Sequence, residues 1–215
     1  MSGSIVTVAQ QKGGSGKTTL AAHMAVAWVI EAHRTVAILD VDPQGSLGEW
    51  LERRERRLGE GNTGLAFRTA SGWGARRESR ALARDYDIVL VDTPPHADSA
   101  ARNAMELAAL VVVPVQPTPT DLWATEATLM MAKAEQVPVL MVLNRVPPRA
   151  RLTGEIAGAL ADFEAPVAVG RLGNRVAFAE SLGAGSTALE MRASSRAAEE
   201  VRMLAKELLK SAVAR

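Results

Sequence analysis

The residue types that can do chemistry are concentrated in one stretch, Gln10-Gln11-Lys12-Gly13-Gly14-Ser15-Gly16-Lys17-Thr18-Thr19. Glycines let a backbone wrap closely around an anion. A helix beginning just after them turns its unpaired N–H groups and the positive end of its dipole toward that anion. The ligand that fits is a phosphate chain. Lys17 is placed to reach the β- and γ-phosphates of a nucleotide, and the Thr18 hydroxyl to bind its Mg²⁺. Lys12, Gly13, Gly14, Ser15, Gly16, Lys17, Thr18 and Thr19 are therefore the candidate nucleotide-binding residues. The stretch departs from the common G-x-x-x-x-G-K-[ST] pattern in two ways. Gln11 stands where the first glycine belongs, and a second lysine, Lys12, precedes Gly13-Gly14.

Two further sets of carboxylates fall at the ends of apolar runs. Asp92 closes Ile88-Val89-Leu90-Val91 and precedes Thr93-Pro94-Pro95. An acidic residue ending a buried strand beside a phosphate loop holds the nucleotide's Mg²⁺ through water; the competing reading is a helix cap for a segment starting near Ala97. Asp40 and Asp42 end the run Thr35–Leu39. Asp42 is expected to serve the metal and to orient the attacking water, by positioning and electrostatics more than by proton abstraction. Asp40 is expected to be a supporting structural carboxylate. The catalytic candidates are thus Lys12, Lys17 and Asp42, and the metal candidates Thr18, Asp42 and Asp92. His23, His33 and His96 have no metal-site spacing, and His96 is read as a loop histidine near the phosphates or in solvent.

These residues need a scaffold, and the sequence supplies one by alternation. Ile5–Ala9, Thr35–Leu39, Leu65–Thr69, Asp87–Val91, Leu110–Val115, Val137–Asn144 and Pro166–Val169 read as strands, with Leu65–Thr69 at an edge. Between them, Leu20–Glu31, Gly45–Arg57, Arg76–Arg84, Asp121–Glu135, Leu152–Phe163 and Ser194–Ala212 read as helices, Asp121 being a cap or dipole complement. This rhythm predicts an α/β fold with a doubly wound, mostly parallel sheet flanked by helices, and ligands at the carboxyl ends of its strands. Arg53-Arg54-Glu55-Arg56-Arg57 reads as a solvated helical face, with a phosphate-contacting stripe as the alternative. Trp28 is expected in the core; the positions of Trp50, Trp73 and Trp123 are left open.

Composition sets the outer bounds. A chain of 215 residues, 47% hydrophobic and 23% charged, reads as one soluble domain over 1–215. There are no cysteines, which excludes disulfides, thiolate metal sites and cysteine-held iron–sulfur clusters. No run approaches the ~20 apolar residues of a membrane span, and no secretory signal is visible, so the cytoplasm is the expected compartment. The net charge of +1 confines any nucleic-acid surface to a local patch.

Together with Asp40-Val41-Asp42-Pro43-Gln44 and Val91-Asp92-Thr93-Pro94-Pro95, the loop Lys12–Thr19 makes the chain resemble the ParA/MinD family of deviant Walker A P-loop ATPases. The resemblance extends to Val113–Leu122, and more loosely to Asn174–Ser181 and Ser195–Glu199. It implies ATP and Mg²⁺ as ligands and an ATP-sandwich homodimer, in which Lys12 crosses to the partner's nucleotide. It also implies adenine contacts near Asn144 and Arg145.

Within that family the short ParA (ParF-like) type fits best. The cysteine-dependent relatives are excluded, the tyrosine-rich kinases are not matched by a chain with Tyr86 alone, and no DNA-binding extension precedes the first strand. The stripe Val201, Leu204, Ala205 and Leu208 reads as the core face of the last helix; a membrane-inserting face, as in MinD-like regulators of cell division, is the alternative. The short ParA type implies weak ATP hydrolysis stimulated by a ParB-like adaptor, non-specific DNA binding over the nucleoid, and positioning of a plasmid, chromosome or other large cargo. Candidate DNA contacts are Arg171, Arg175, Arg192, Arg196 and Arg202, with Arg145, Arg149, Arg151, Lys206 and Lys210 beside them. A metabolic ligase of the dethiobiotin synthetase type is the third reading.

Overall fold

Strands form where the sequence is apolar at consecutive positions. They are β1 (Ser4–Val8), β2 (Val36–Asp40), β3 (Ala66–Thr69), β4 (Ile88–Asp92), β5 (Leu110–Val115) and β6 (Val139–Leu143). The computed structural model describes residues 3–95, 98–148 and 158–213, with only the backbone of residue 98. Among these residues the strands form one sheet in the order β3-β2-β4-β1-β5-β6, every pairing parallel. β2, β4 and β5 are buried at every position, as strands covered on both faces must be. Parallel order also brings the carboxyl ends of β1, β2 and β4 side by side, with Asp40 level with Asp92 and Val8 level with Asp92.

Alternation along each strand divides the core in two. Val6, Val36, Ile38, Leu90 and Val112 face one helical layer, built from α1 (Lys17–Ala32), α2 (Ser46–Leu58), α6 (Val176–Gly183), α7 (Ala188–Met191) and α8 (Arg196–Val213). Leu39, Val91, Val111 and Val113 face the other, built from α3 (Ala75–Leu82), α4 (Asp98–Met105) and α5 (Pro119–Ala134). α1 is buried from Leu20 to Trp28 and lies between the sheet and α8, where the Trp28 Nε1–H donates to Ala205 O at 2.9 Å. Val201, Leu204, Ala205 and Leu208 are buried, so the apolar face of α8 belongs to the core and is not presented to a membrane. Trp50 is buried too, its Nε1 donating to Ser186 O, whereas Trp73 and Trp123 are exposed.

Three expectations change. Pro166–Val169 is not a strand; Val167 makes a single parallel bridge to Met141. Proline has no N–H to donate, and the next free donors, Val169 N and Gly170 N, are taken by the Glu207 carboxylate at 2.9 and 2.8 Å. Second, the arginine run on α2 is largely tied down. Arg54 is 5% exposed, donates to Thr63 O at 3.0 Å and pairs with Glu190 at 2.8 Å; Arg57 reaches the same carboxylate at 3.1 Å and Arg53 the Gly183 carbonyl at 3.0 Å. Arg53, Arg56 and Arg57 remain exposed, and Arg56, 3.9 Å from Glu52, has the loosest partner. Third, of the two roles expected of Asp121 the cap belongs to Thr118, whose side chain accepts from Asp121 N, and Asp121 sits in the first turn of α5 as the dipole complement. Of the expected helix 152–163, residues 158–160 are helical and 152–157 lie outside the described residues, as do His96, Arg149 and Arg151.

Two buried polar groups generate tests. His23 is fully buried on α1. Its Nδ1 lies 2.8 Å from Thr19 O and its Nε2 3.2 Å from the Ala188 N–H, which assigns the neutral, Nδ1-protonated ring. Burial lowers its pKa from 6.5 to about 4. The unfolded chain therefore takes up this proton as pH falls below about 6.5 while the folded chain does not, and stability is lost with falling pH. Asp92, raised by burial to about 7, has the opposite linkage, so the comparison must be with a His23→Gln variant. In urea unfolding, the stability advantage of the wild type over His23→Gln shrinks by about 2 kcal/mol between pH 7.5 and 5; an unchanged difference contradicts this assignment. For Glu190, burial alone favours the neutral acid, but Arg54 and Arg57 overcome that and hold its pKa below the usual value. Glu190→Gln strands the buried Arg54 charge, and urea unfolding at neutral pH should show a loss of about 3 kcal/mol; a loss well under 1 kcal/mol would mean that Arg54 finds another partner.

Candidate nucleotide-binding site

β1 delivers the chain to the carboxyl edge of the sheet and α1 leaves it at Lys17, so residues 9–16 form the turn. Gly14 and Gly16 have φ of 75° and 92°, a region open to glycine at no steric cost. At Gly16 a side chain is also excluded by contact, since a Cβ would lie 2.3 Å from Asn144 Nδ2. That amide, just beyond β6, donates to Ser15 O at 2.8 Å and accepts from Arg145 N at 2.9 Å. Asn144 and Arg145 are thus brought against the phosphate loop, with Arg145 exposed and at φ 50°.

Lys17 and Thr18 begin α1 and face β4. Thr18 Oγ1 donates to Asp92 Oδ2 at 2.8 Å, and Lys17 Nζ donates to Gln10 O at 3.0 Å. Burial lowers the Lys17 pKa, opposed by the charges of Asp92 and Asp42. Burial pushes Asp92 up to about 7, opposed by the Thr18 hydroxyl. Asp40 is raised by burial too; its Oδ1 accepts from Asp42 N at 3.0 Å, the supporting role expected of it, while the half-buried Asp42 turns the chain by accepting from Gln44 N at 2.9 Å. Thr93 Oγ1 donates to Val8 O at 2.9 Å and fastens the end of β4 to β1. Through Thr18, Asp92 is therefore a partner of the loop.

A divalent cation fits this donor set. Ser15 Oγ, Asp40 Oδ2 and Asp92 Oδ1 are buried without a hydrogen-bond partner in the described structure, a condition that costs about 1–3 kcal/mol per group. Water on a bound cation would supply donors to these carboxylate oxygens. Among the described residues no group of three or more acidic or histidine side chains could hold an ion alone. A hydroxyl and one or two carboxylates, completed by water and substrate phosphate, is how Mg²⁺ is usually held.

The first half of the loop is held by α5. Lys12 Nζ bonds Asp121 and, at 2.9 Å, Thr120 Oγ1. The Gln10 side chain donates to Thr125 Oγ1 at 3.1 Å and accepts from Thr128 Oγ1 at 3.2 Å; Thr128 Oγ1 also accepts from Gln11 N at 3.2 Å. Gln116 Nε2 donates to Gly14 O at 2.7 Å. Asp121, Thr125 and Thr128 are fully buried. Sequence reasoning missed this threonine face. Its signal was present as three polar residues at i, i+4 and i+7, the spacing of one helix face.

The arginines expected to contact DNA lie elsewhere, on α8 and on the segments that precede α6 and α8. Arg175 forms two bonds with Glu200, at 2.9 and 2.6 Å, and that carboxylate, which accepts also from Gly173 N, raises the Arg175 pKa. Arg202 pairs with Glu31 at 2.8 Å and donates to Ala193 O at 2.7 Å. Arg196 is exposed, its Nε 3.7 Å from Glu200. Arg171 and Arg192 are exposed without an ion pair among the described residues. The structure does not bring these five together with the nucleotide loop.

Residues 6–188 match the model of the CobQ/CobB/MinD/ParA nucleotide binding domain. The chain is 25% identical to the maintenance of carboxysome distribution protein A of Halothiobacillus neapolitanus, over 96% of each chain. It is 35% identical to the chromosome-partitioning ATPase Soj of Thermus thermophilus, over 69% of this chain and 66% of that one. The fold is similar to that of the septum site-determining protein MinD of Pyrococcus horikoshii, solved with Mg-ADP, at a TM-score of 0.80 and 20% identity over 98% of both chains. With the phosphate loop, the strand-end carboxylates and the parallel sheet all in place, the chain belongs to the CobQ/CobB/MinD/ParA nucleotide-binding family.

Proposed function

We propose that the protein is an ATP-dependent dimerising switch that hydrolyses ATP slowly, binds DNA without sequence preference in its ATP state, and positions a large cargo with the help of a ParB-like adaptor. The observation that carries this reading is the construction of the loop. Lys17, Thr18 and Asp92 gather on one side, where they would serve a Mg-nucleotide, and Lys12 stands on the other side as a second, surface-accessible cation, its side chain 32% exposed. The names of the two relatives, one for carboxysome distribution and one for chromosome partitioning, support cargo positioning as the class of task.

Each residue then has a part. Backbone N–H groups of residues 13–18 and the Lys17 ammonium bind the phosphates. Asn144 and Arg145, seated on the loop beside Gly16, flank the base. A bound Mg²⁺ would neutralise phosphate charge, held by the Thr18 hydroxyl and, through water, by Asp92 and Asp42. Asp42 orients the attacking water. Lys12 reaches the phosphates of a second copy, where a cation stabilises the charge spread over the transferring group. To do so it must leave Asp121, so nucleotide on the partner competes with a contact inside the chain. Arg171, Arg192 and Arg196, exposed and at most loosely paired, would add to a DNA-facing charge that doubles on dimerisation.

The two lysines should separate cleanly on substitution. Lys17→Ala removes a buried, charged bond to phosphate worth about 2 kcal/mol, a fall of ~30-fold in ATP affinity by titration calorimetry. Lys12→Ala keeps most of that affinity, yet its turnover falls by about 10³-fold, the scale on which a trans cation acts. A Lys12→Ala protein that hydrolyses ATP normally removes the trans role. The ligase reading is tested in the same assay: turnover stimulated by DNA and adaptor supports the switch, and turnover that needs a small carboxylic acid overturns it.

A further inference from the structure

The exposed side of α3 and the residues flanking it form a basic row that the site described above does not use. Trp73, Arg77, Arg80 and Arg84 follow at helical spacing and line an open concavity of about 550 Å³. Arg77, Arg80 and Arg84 are exposed and have no acidic partner among the described residues; Arg76 beside them is matched by Glu106 at 2.9 Å. At about 100° per residue, Glu78, the acidic residue within α3, points roughly 140° away from the row. In a chain with a net charge of +1, three unmatched guanidiniums on one face are a local positive field. Trp73, 90% exposed, adds a flat, amphipathic surface at the end of the row nearest the nucleotide edge.

The chemistry points to duplex phosphate. Arg77 and Arg80 lie on α3 and Arg84 in the turn two residues past its end; at helical rise the seven-residue step from Arg77 to Arg84 is about 10 Å, a length over which duplex DNA carries about six charges. The guanidinium fork matches phosphate geometry. A bilayer surface is the poorer fit, because the apolar side of α3 (Ala75 and Leu82) is buried in the protein core, which leaves Trp73 as the one large apolar side chain of the row that could insert. The row also has a physical tie to the nucleotide site. Gly72 O accepts from Asn103 Nδ2 at 3.1 Å, and a Cβ on Gly72 would lie 2.4 Å from Ala100 Cβ, so the Trp73 end packs tightly on α4, the helix that follows Asp92-Thr93-Pro94-Pro95.

We infer that Trp73, Arg77, Arg80 and Arg84 form a duplex-DNA contact surface on the sheet face opposite α8. The inference rests on the proposed ATP-state DNA binding and gives it a surface distinct from the C-terminal arginines, of which Arg175 and Arg202 are already engaged.

The test uses the full chain with Mg-ATP and a random-sequence duplex, measuring affinity across a series of salt concentrations. Arg77→Gln with Arg80→Gln should weaken binding and lower the slope of log affinity against log salt by about 1.8, ~0.9 for each phosphate that is no longer neutralised. Trp73→Ala should weaken binding with the slope unchanged, and ATP affinity should stay at the wild-type value in both, which reports an intact fold. Wild-type affinity and slope in the double variant overturn the assignment while leaving the proposed function standing, and weakened binding in Arg192→Gln with Arg196→Gln would then place the DNA on the other face. A wild type that retains no DNA with ATP overturns both, as does capture on phosphatidylglycerol vesicles without capture on DNA.

Discussion

A carboxylate buried at the middle of the sheet's carboxyl edge governs this structure. Asp92 ends β4, level with Val8 of β1 and Asp40 of β2, and burial makes its charge expensive. One oxygen is met by the Thr18 hydroxyl and the other has no partner in the protein. The first contact fixes the start of α1, and through it the glycine turn, against β4. The second atom is where water on a bound cation would complete the site. The same buried group therefore suits a ligand that brings positive charge and water together, as a Mg-nucleotide does.

The phosphate loop is held from two sides, and the two sides have different consequences. The second half, from Lys17 onward, is anchored in the core by α1 and β4. The first half is anchored on α5 by Asp121, Thr125 and Thr128. Around Gln11, which stands where the usual first glycine belongs, Gln10, Gln11 and Lys12 present the side chains and backbone groups that α5 holds. The deviation in the motif is thus a docking surface inside the chain as well as a source of a second cation, and any use of Lys12 outside the chain draws on the bond to Asp121.

Much of this was legible in the sequence because it rests on short-range rules. Near-continuous apolar runs ending in Asp40 and Asp92, and a glycine turn before a helix, determine the parallel sheet and the Mg-nucleotide candidates with no knowledge of tertiary contacts. The misreadings are tertiary. Pro166–Val169 has the composition of a strand, but Glu207, far along the chain on α8, takes its donors. The arginines of α2 look solvated until Glu190 arrives from α7 to bury Arg54. Arg175 is likewise held by Glu200, in an ion pair that no local pattern announces. In each case a single carboxylate, distant in sequence, decided the fate of a group whose local pattern pointed elsewhere.

The proposed switch turns on Lys12 making ATP a bond between two copies of the chain. Light-scattering mass in solution reads that directly. With Mg²⁺ and a non-hydrolysable ATP analogue the protein should have twice the monomer mass, and with ADP or no nucleotide the monomer mass. A single mass in all three conditions, monomer or dimer, would contradict it.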